Sequence, residues 1–171
     1  QPRVRPRADV PRPGDDGDRG RPRRRVLVDG GGAQDADRGD QLGGGARREG
    51  RARGGRALWF GQHTLLVGPK PDGKLSKFGV LTDQSDAWVT LRMSGDLIED
   101  ALMGLCPVDL RMKEFKRGNV VRTSLQHVNV TLHRIGPNTI DLYGFRSMAQ
   151  TICHELKSSL TTLNARINHN I

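Results

Sequence analysis

Apolar and polar positions change period several times beyond residue 56, and each change marks an element. Leu58–Phe60 and Leu65–Val67 are short apolar runs joined by GQHT and closed by Gly68-Pro69, which predicts two strands around a tight turn. PDGKLSKF has no clear period and reads as a loop or a single helical turn. In AWVTLRM, Ala87, Val89, Leu91 and Met93 alternate with Trp88, Thr90 and Arg92, the period of a half-buried strand.

The period then lengthens. Leu97, Ile98, Ala101, Leu102 and Leu105 recur at helical spacing, with Asp96 and Glu99 placed as a capping box. Pro107 lacks an N–H and ends the segment, so the expected helix is about ten residues long. Val121, Thr123 and Leu125 are followed by Val128, Val130 and Leu132 in the opposite parity. A bulge in one long strand or a tight turn at Gln126-His127 accounts equally for that slip. Gly136-Pro137-Asn138 signals a turn before a strand at Thr139–Leu142. A second capping box, Ser147 with Gln150, opens a helix striped by Ala149, Ile152, Cys153, Leu156, Leu160, Leu163 and Ile167.

Helices interleaved with mainly antiparallel strands predict an α+β fold, a two-layer sandwich with both helices on one face of the sheet. Its other face, bearing Trp88, Thr90 and Arg92, is expected to be open to a partner.

Composition divides the chain. Residues 1–56 contain fifteen arginines, no lysine, nine acidic residues, and no Ser, Thr, Asn, Ile, Phe, Tyr, Trp, Met, Cys or His. Of the formal net charge of +9, six units belong to this segment, so the basic character is mostly not that of residues 57–171. Stretches such as RGRPRRR could neutralise phosphates, yet aspartates are scattered among them and no aromatic is present for base stacking. A solvated, disordered tail is the second reading, because few apolar side chains offset the ordering entropy. The third is out-of-frame, non-native text, which arginine without lysine and an excess of Gly, Pro, Ala and Asp fit best. Residues 57–171 are then the folding domain, one that has lost its leading element.

No apolar run is long enough to span a membrane, and no secretory leader is visible at Gln1. Cys106 and Cys153 are too few for a thiolate zinc site and read as buried free thiols of a cytoplasmic protein. His127 and His133 lack neighbouring carboxylates at ligand spacing and read as exposed strand histidines. His154-Glu155 lacks the second histidine of a zinc helix. Asp83, Asp86, Asp96, Asp100 and Asp109 sit at turns and caps. No independent active site emerges.

TDQSDAWVTLRMSG, GLCPVDL, F-x-x-G before VVRTSLQHVNVTLHRIG, and RSMA after the last strand together resemble the gamma subunit of heterotetrameric sarcosine oxidase. ALWFGQHTLLVGP extends the resemblance, which covers about residues 57–163. It implies a fold like the folate-binding domain of glycine-cleavage aminomethyltransferase. It also implies a flavoenzyme complex that oxidatively demethylates sarcosine to glycine, forming hydrogen peroxide and passing the one-carbon unit to tetrahydrofolate. In that family FAD and FMN belong to the beta subunit, NAD and tetrahydrofolate to the alpha subunit, and zinc to the delta subunit; the gamma chain binds none of them and acts in assembly. Cys106, Pro107, Asp109, Arg146 and Ser147 match family positions as fold residues. Trp88, Arg92, Lys113, Lys116 and Arg117 are the candidate contacts with the alpha, beta and delta partners. Two departures stand out: residues 1–56 replace a family strand and helix, and Phe145 replaces a proline. The corresponding subunit of N-methylglutamate dehydrogenase is a similar alternative. A folate-binding aminomethyltransferase-like protein and a nucleic-acid binder acting through residues 1–56 are readings of other classes.

Overall fold

Strands among the described residues pair into two five-stranded antiparallel sheets, and the chain passes from one to the other at both edges. The computed structural model describes residues 24–29, 46–52, 55–61, 63–77 and 79–169. The expectations for 1–23 and 30–45 lie outside them.

The first sheet holds β1 (Arg24–Asp29), β3 (Gly50–Ala52), β4 (Gly55–Phe60), β5 (His63–Gly68) and β6 (Val80–Asp83), in the order β3-β4-β5-β1-β6. The second holds β2 (Arg47–Arg48), β7 (Trp88–Ser94), β8 (Asn119–Leu125), β9 (Val128–Gly136) and β10 (Thr139–Phe145), in the order β2-β8-β9-β10-β7. Two α-helices, α1 (Ile98–Met103) and α2 (Ala149–His169), pack on the far face of the second sheet. The α+β class and the pairing of helices with an antiparallel sheet therefore hold. The first sheet adds a layer, and the face expected to be open is covered by it.

Strand parity explains this layering. Val121, Leu125, Val130, Leu132, Ile140 and Leu142 point from the second sheet to the helices, where they meet Ile98, Leu102, Leu105, Phe115 and Ile152. Val120 and Tyr143, of opposite parity, face Leu58, Phe60 and Leu65 of the first sheet. Each fully buried aliphatic side chain contributes about 1.5–3 kcal/mol, so both clusters hold the layers together.

Within the segment 1–56, read as disordered or non-native, residues 24–29, 47–48 and 50–52 form strands. The apolar run Val26-Leu27-Val28 supplies the leading strand, with Val26 opposite both Leu66 and Asp83. Six residues of alternating side chains suffice to fill the gap between β5 and β6 despite the arginines around them.

The local elements mostly follow the pattern. The parity slip is a two-residue turn, with Gln126 in the left-handed region at φ 52° and its N–H donating to the Leu105 carbonyl oxygen at 2.8 Å. PDGKLSKF contains a 3₁₀ turn, Gly73–Lys77. Neither expected capping box forms. Leu97 is the N-cap of α1 and makes no side-chain bond; Asp96 instead accepts from Asn138 Nδ2 at 2.6 Å. Helix α1 has six residues, not about ten, and gives way to a turn at Gly104. α2 is entered through a 3₁₀ turn, Arg146–Met148, whose leading residue Phe145 has no side-chain cap bond.

Glu99 is withdrawn from capping by Arg134, which is buried on the helix-facing side of β9. Arg134 Nη2 donates to Glu99 Oε1 at 2.8 Å and to the Leu110 carbonyl oxygen, and Nη1 donates to the Pro137 carbonyl oxygen. Its guanidinium also stands 5.7 Å from the centre of the Phe115 ring. One side chain thus joins β9, α1, the 104–118 loop and the turn before β10.

Replacing it strands those acceptors inside the fold. Arg134→Met is expected to lower unfolding stability by about 3 kcal/mol or more, read by urea denaturation. Gly144 of β10 is set by a different constraint: a Cβ there would lie 2.5 Å from Ile152 Cδ1. Gly144→Ala should cost about 1–3 kcal/mol through overpacking. Adding Ile152→Val, which removes that Cδ1, should recover part of the loss in a double-mutant cycle.

Candidate functional site

Among the described residues, a group of titratable side chains lies between the two sheets. Directly opposed positions run across the second sheet from Arg47 through Val120, His133 and Asp141 to Arg92, all on the face toward the first sheet. Asp141 is sealed in, and its carboxylate accepts a two-pronged bond from Arg92, Nε to Oδ1 at 2.8 Å and Nη2 to Oδ2 at 3.0 Å. A planar guanidinium suits that geometry, and the pairing satisfies a carboxylate that would be costly alone.

His133 is 0% exposed. Its Nε2 lies 2.9 Å from Glu49 Oε2, but off line, so neither atom completes a hydrogen bond. Glu49 sits where the chain crosses between β2 and β3; its N–H donates to the Gly118 carbonyl oxygen at 2.6 Å. Its carboxylate also approaches Arg56 Nε of the first sheet at 3.6 Å. Gly118 adopts φ 85° and returns its own N–H to the Arg134 carbonyl oxygen at 2.7 Å. Burial first, then the charge of Arg56, lowers the His133 pKa to about 4, with Asp141 opposing the shift. The imidazole is therefore neutral at pH 7.

Arg25 closes the other edge. Nη1 donates to the Trp88 and Ser85 carbonyl oxygens at 2.9 and 3.2 Å, and Nη2 to Thr90 Oγ1 at 2.8 Å. Burial lowers the guanidinium pKa from its ordinary value without threatening its charge. The last arginine of RGRPRRR is thus a tie between sheets. Nothing in that stretch signals the tie, because its partners, two carbonyl oxygens and the Thr90 hydroxyl, lie some sixty residues away.

The chemistry of the cluster is structural. The two groups that could act as bases, His133 and Asp141, are shut off from solvent. Burial, followed by the charge of Asp141, raises the Tyr143 phenol, and burial raises the Cys106 thiol to about 11. Neither is activated as a nucleophile. Among the described residues no group of three or more His, Cys, Asp or Glu is placed to hold a metal ion.

The residues singled out from sequence scatter. Cys106 is buried in the helix-side cluster, Pro107 and Ser147 are exposed, and Cys153 is half-buried rather than buried. Asp109 is exposed and bonded to Arg111, whose hydrogen bonds hold the carboxyl at about 2. The Arg146 N–H donates to the Ala87 carbonyl oxygen at 2.8 Å, while its side chain is exposed, 3.7 Å from Asp86. His127 is exposed as expected; His133, read as exposed, is buried because β9 carries a layer on each face. Trp88 is not on an open face: it meets Phe60 edge-on at 4.7 Å and stacks on Phe145 at 4.4 Å. Phe145 therefore covers Trp88 as well as shaping the strand-to-helix turn. Arg92 is half exposed, and Lys113, Lys116 and Arg117 are exposed in the 111–117 loop. Glu49 and Arg56 were missed, since the sequence carries no signal that they meet a histidine on β9.

Together these features define an α+β chain of two antiparallel sheets backed by helices, tied internally by charge. The fold is similar to that of a chain in the heterotetrameric sarcosine oxidase from Corynebacterium sp. U-96, solved in complex with pyrrole 2-carboxylate. That likeness has a TM-score of 0.65 at 20% identity and covers 82% of this chain and 80% of the other. Such coverage exceeds the share of the chain beyond residue 56, so it includes part of the N-terminal third. No protein-family model and no curated protein sequence matches the chain. Among the described residues no helix is long and apolar enough to cross a membrane.

The lowered His133 pKa fixes a pH dependence. The unfolded imidazole takes up a proton near pH 6.5, while the folded one resists until about pH 4. Stability should be unaffected above that window and fall as pH drops through it, by up to about 3 kcal/mol. Asp109 titrates below the window and does not confuse it. His133→Gln should flatten the decline between pH 6.5 and 4 in thermal denaturation followed by circular dichroism.

Proposed function

We propose that the chain is the non-catalytic gamma-type subunit of a heterotetrameric, flavin-dependent sarcosine oxidase, acting in assembly and stability. The observation that carries this reading is the similarity in fold, over four fifths of both chains, to a chain of an enzyme with that name. The enclosed state of His133 and Asp141 accords with it, because the groups best suited to proton transfer serve the interior. In this reading the fold is of the aminomethyltransferase type. The alpha, beta and delta subunits supply NAD, tetrahydrofolate, FAD, FMN and zinc, and the assembled complex converts sarcosine to glycine in the cytoplasm.

Lys113, Lys116 and Arg117, exposed on one loop, remain contact candidates in this proposal; Trp88 contributes through the packing beneath it. Co-expressed with the alpha, beta and delta subunits from its own source, the tagged chain should co-purify with a flavin spectrum that sarcosine bleaches. A spectrum bleached by N-methylglutamate and not by sarcosine would move the assignment to the dehydrogenase. A colourless chain free of those subunits would overturn the proposal.

A further inference from the structure

The stripe predicted along α2 is only half used. Ile152 is fully buried, Leu156 packs at the margin of the helix-side core, and Ser159 Oγ donates to the Ala101 carbonyl oxygen at 2.6 Å. Beyond that anchor every described residue of the helix except Leu163 is exposed. Leu160 is 53% and Ile167 37% exposed, with Leu163 between them half-buried. Residues 152, 156, 160, 163 and 167 share one face, so the exposed residues continue the buried row without a break. Residues 157–169 are propagated from the packed first half of the same helix, so their helicity needs no partner but their apolar row remains uncovered.

The charges beside the row restrict what can cover it. Lys157, Arg166 and His169 are the only titratable side chains from 157 to 169, and none is acidic. Lys157 and Arg166 flank the row on opposite sides, and no carboxylate within 157–169 answers either of them. A surface with carboxylates along both sides of an apolar groove would answer both cations at once.

We infer that the C-terminal half of α2 is a docking helix. It lays Leu160, Leu163 and Ile167 into an apolar groove on another subunit of the complex, with acidic residues on the groove's rim meeting Lys157 and Arg166. This inference rests on the proposed subunit function and names the element that makes the contact.

The test uses the full chain co-expressed with the alpha, beta and delta subunits. Leu160→Glu combined with Ile167→Glu should leave the melting temperature of the isolated chain unchanged while reducing co-purification about ten-fold or more. Lys157→Glu with Arg166→Glu should also weaken assembly, and the wild-type association should loosen as salt is raised. Assembly of wild type and the Leu160/Ile167 variant alike would overturn the docking helix and leave the subunit function standing. Failure of wild type to assemble would overturn both. A concentration-dependent dimer of the isolated chain, abolished by Leu160→Glu, would assign the stripe to a second copy instead. A marked drop in melting temperature would assign it to the chain's own residues. Binding of the isolated chain to anionic vesicles, lost with Leu160→Glu, would assign it to a membrane surface. Each of these last three results overturns the proposal.

Discussion

A single buried guanidinium holds the helical side of this protein in place. Arg134 has no exposure, and the groups around it come from three separate parts of the chain: a helix, a long loop that also supplies the Phe115 ring, and a turn. Burying an arginine is costly, and its partners compensate only while all of them stand where they do. α1, with six residues, has little stability of its own. Its position depends on Glu99 reaching back to Arg134, and the 104–118 loop depends on the same side chain through Leu110. The hydrophobic cluster beneath supplies attraction without direction; Arg134 supplies the direction.

Between the sheets the same logic recurs in pieces. Arg92 answers Asp141, Arg25 answers main-chain oxygens near Trp88, and Glu49 stands between His133 and Arg56. The first two are well aligned, and the third is near but out of line. The interior is thus polar along one row and apolar along the neighbouring one, where Leu58, Phe60, Leu65 and Tyr143 meet. Such mixed packing favours one register of the two sheets, because a slip would oppose charges to aliphatic side chains.

Much of the local structure could be read from the sequence, and its failures have physical causes. Alternation in AWVTLRM and the parity slip at Gln126-His127 located strands, since period depends only on neighbours. Strand β1 was missed because three apolar residues in arginine-rich text carry little weight until β5 and β6 are known to leave a gap between them. The first capping box failed for a similar reason: Glu99 met a stronger partner far away in sequence, and Asp96 met Asn138. The polar row was illegible because its members lie on six different strands or crossings. α2 was correctly seen as a striped helix, yet no sequence period reveals where the body of the protein ends beneath it.

The passage of the chain between sheets at both margins has a protective side. An antiparallel sheet ordinarily ends in a strand whose unpaired main-chain groups can recruit another strand, the first step in aggregation. Here the margins are β2 and β3, of two and three residues, at one side, and β6 and β7 at the other. The short pair offers almost no template. Along the longer pair, Arg25 takes the Ser85 and Trp88 oxygens and the Arg146 N–H takes that of Ala87. Among the described residues, the crossings between the sheets thus leave few free main-chain groups for a stray strand.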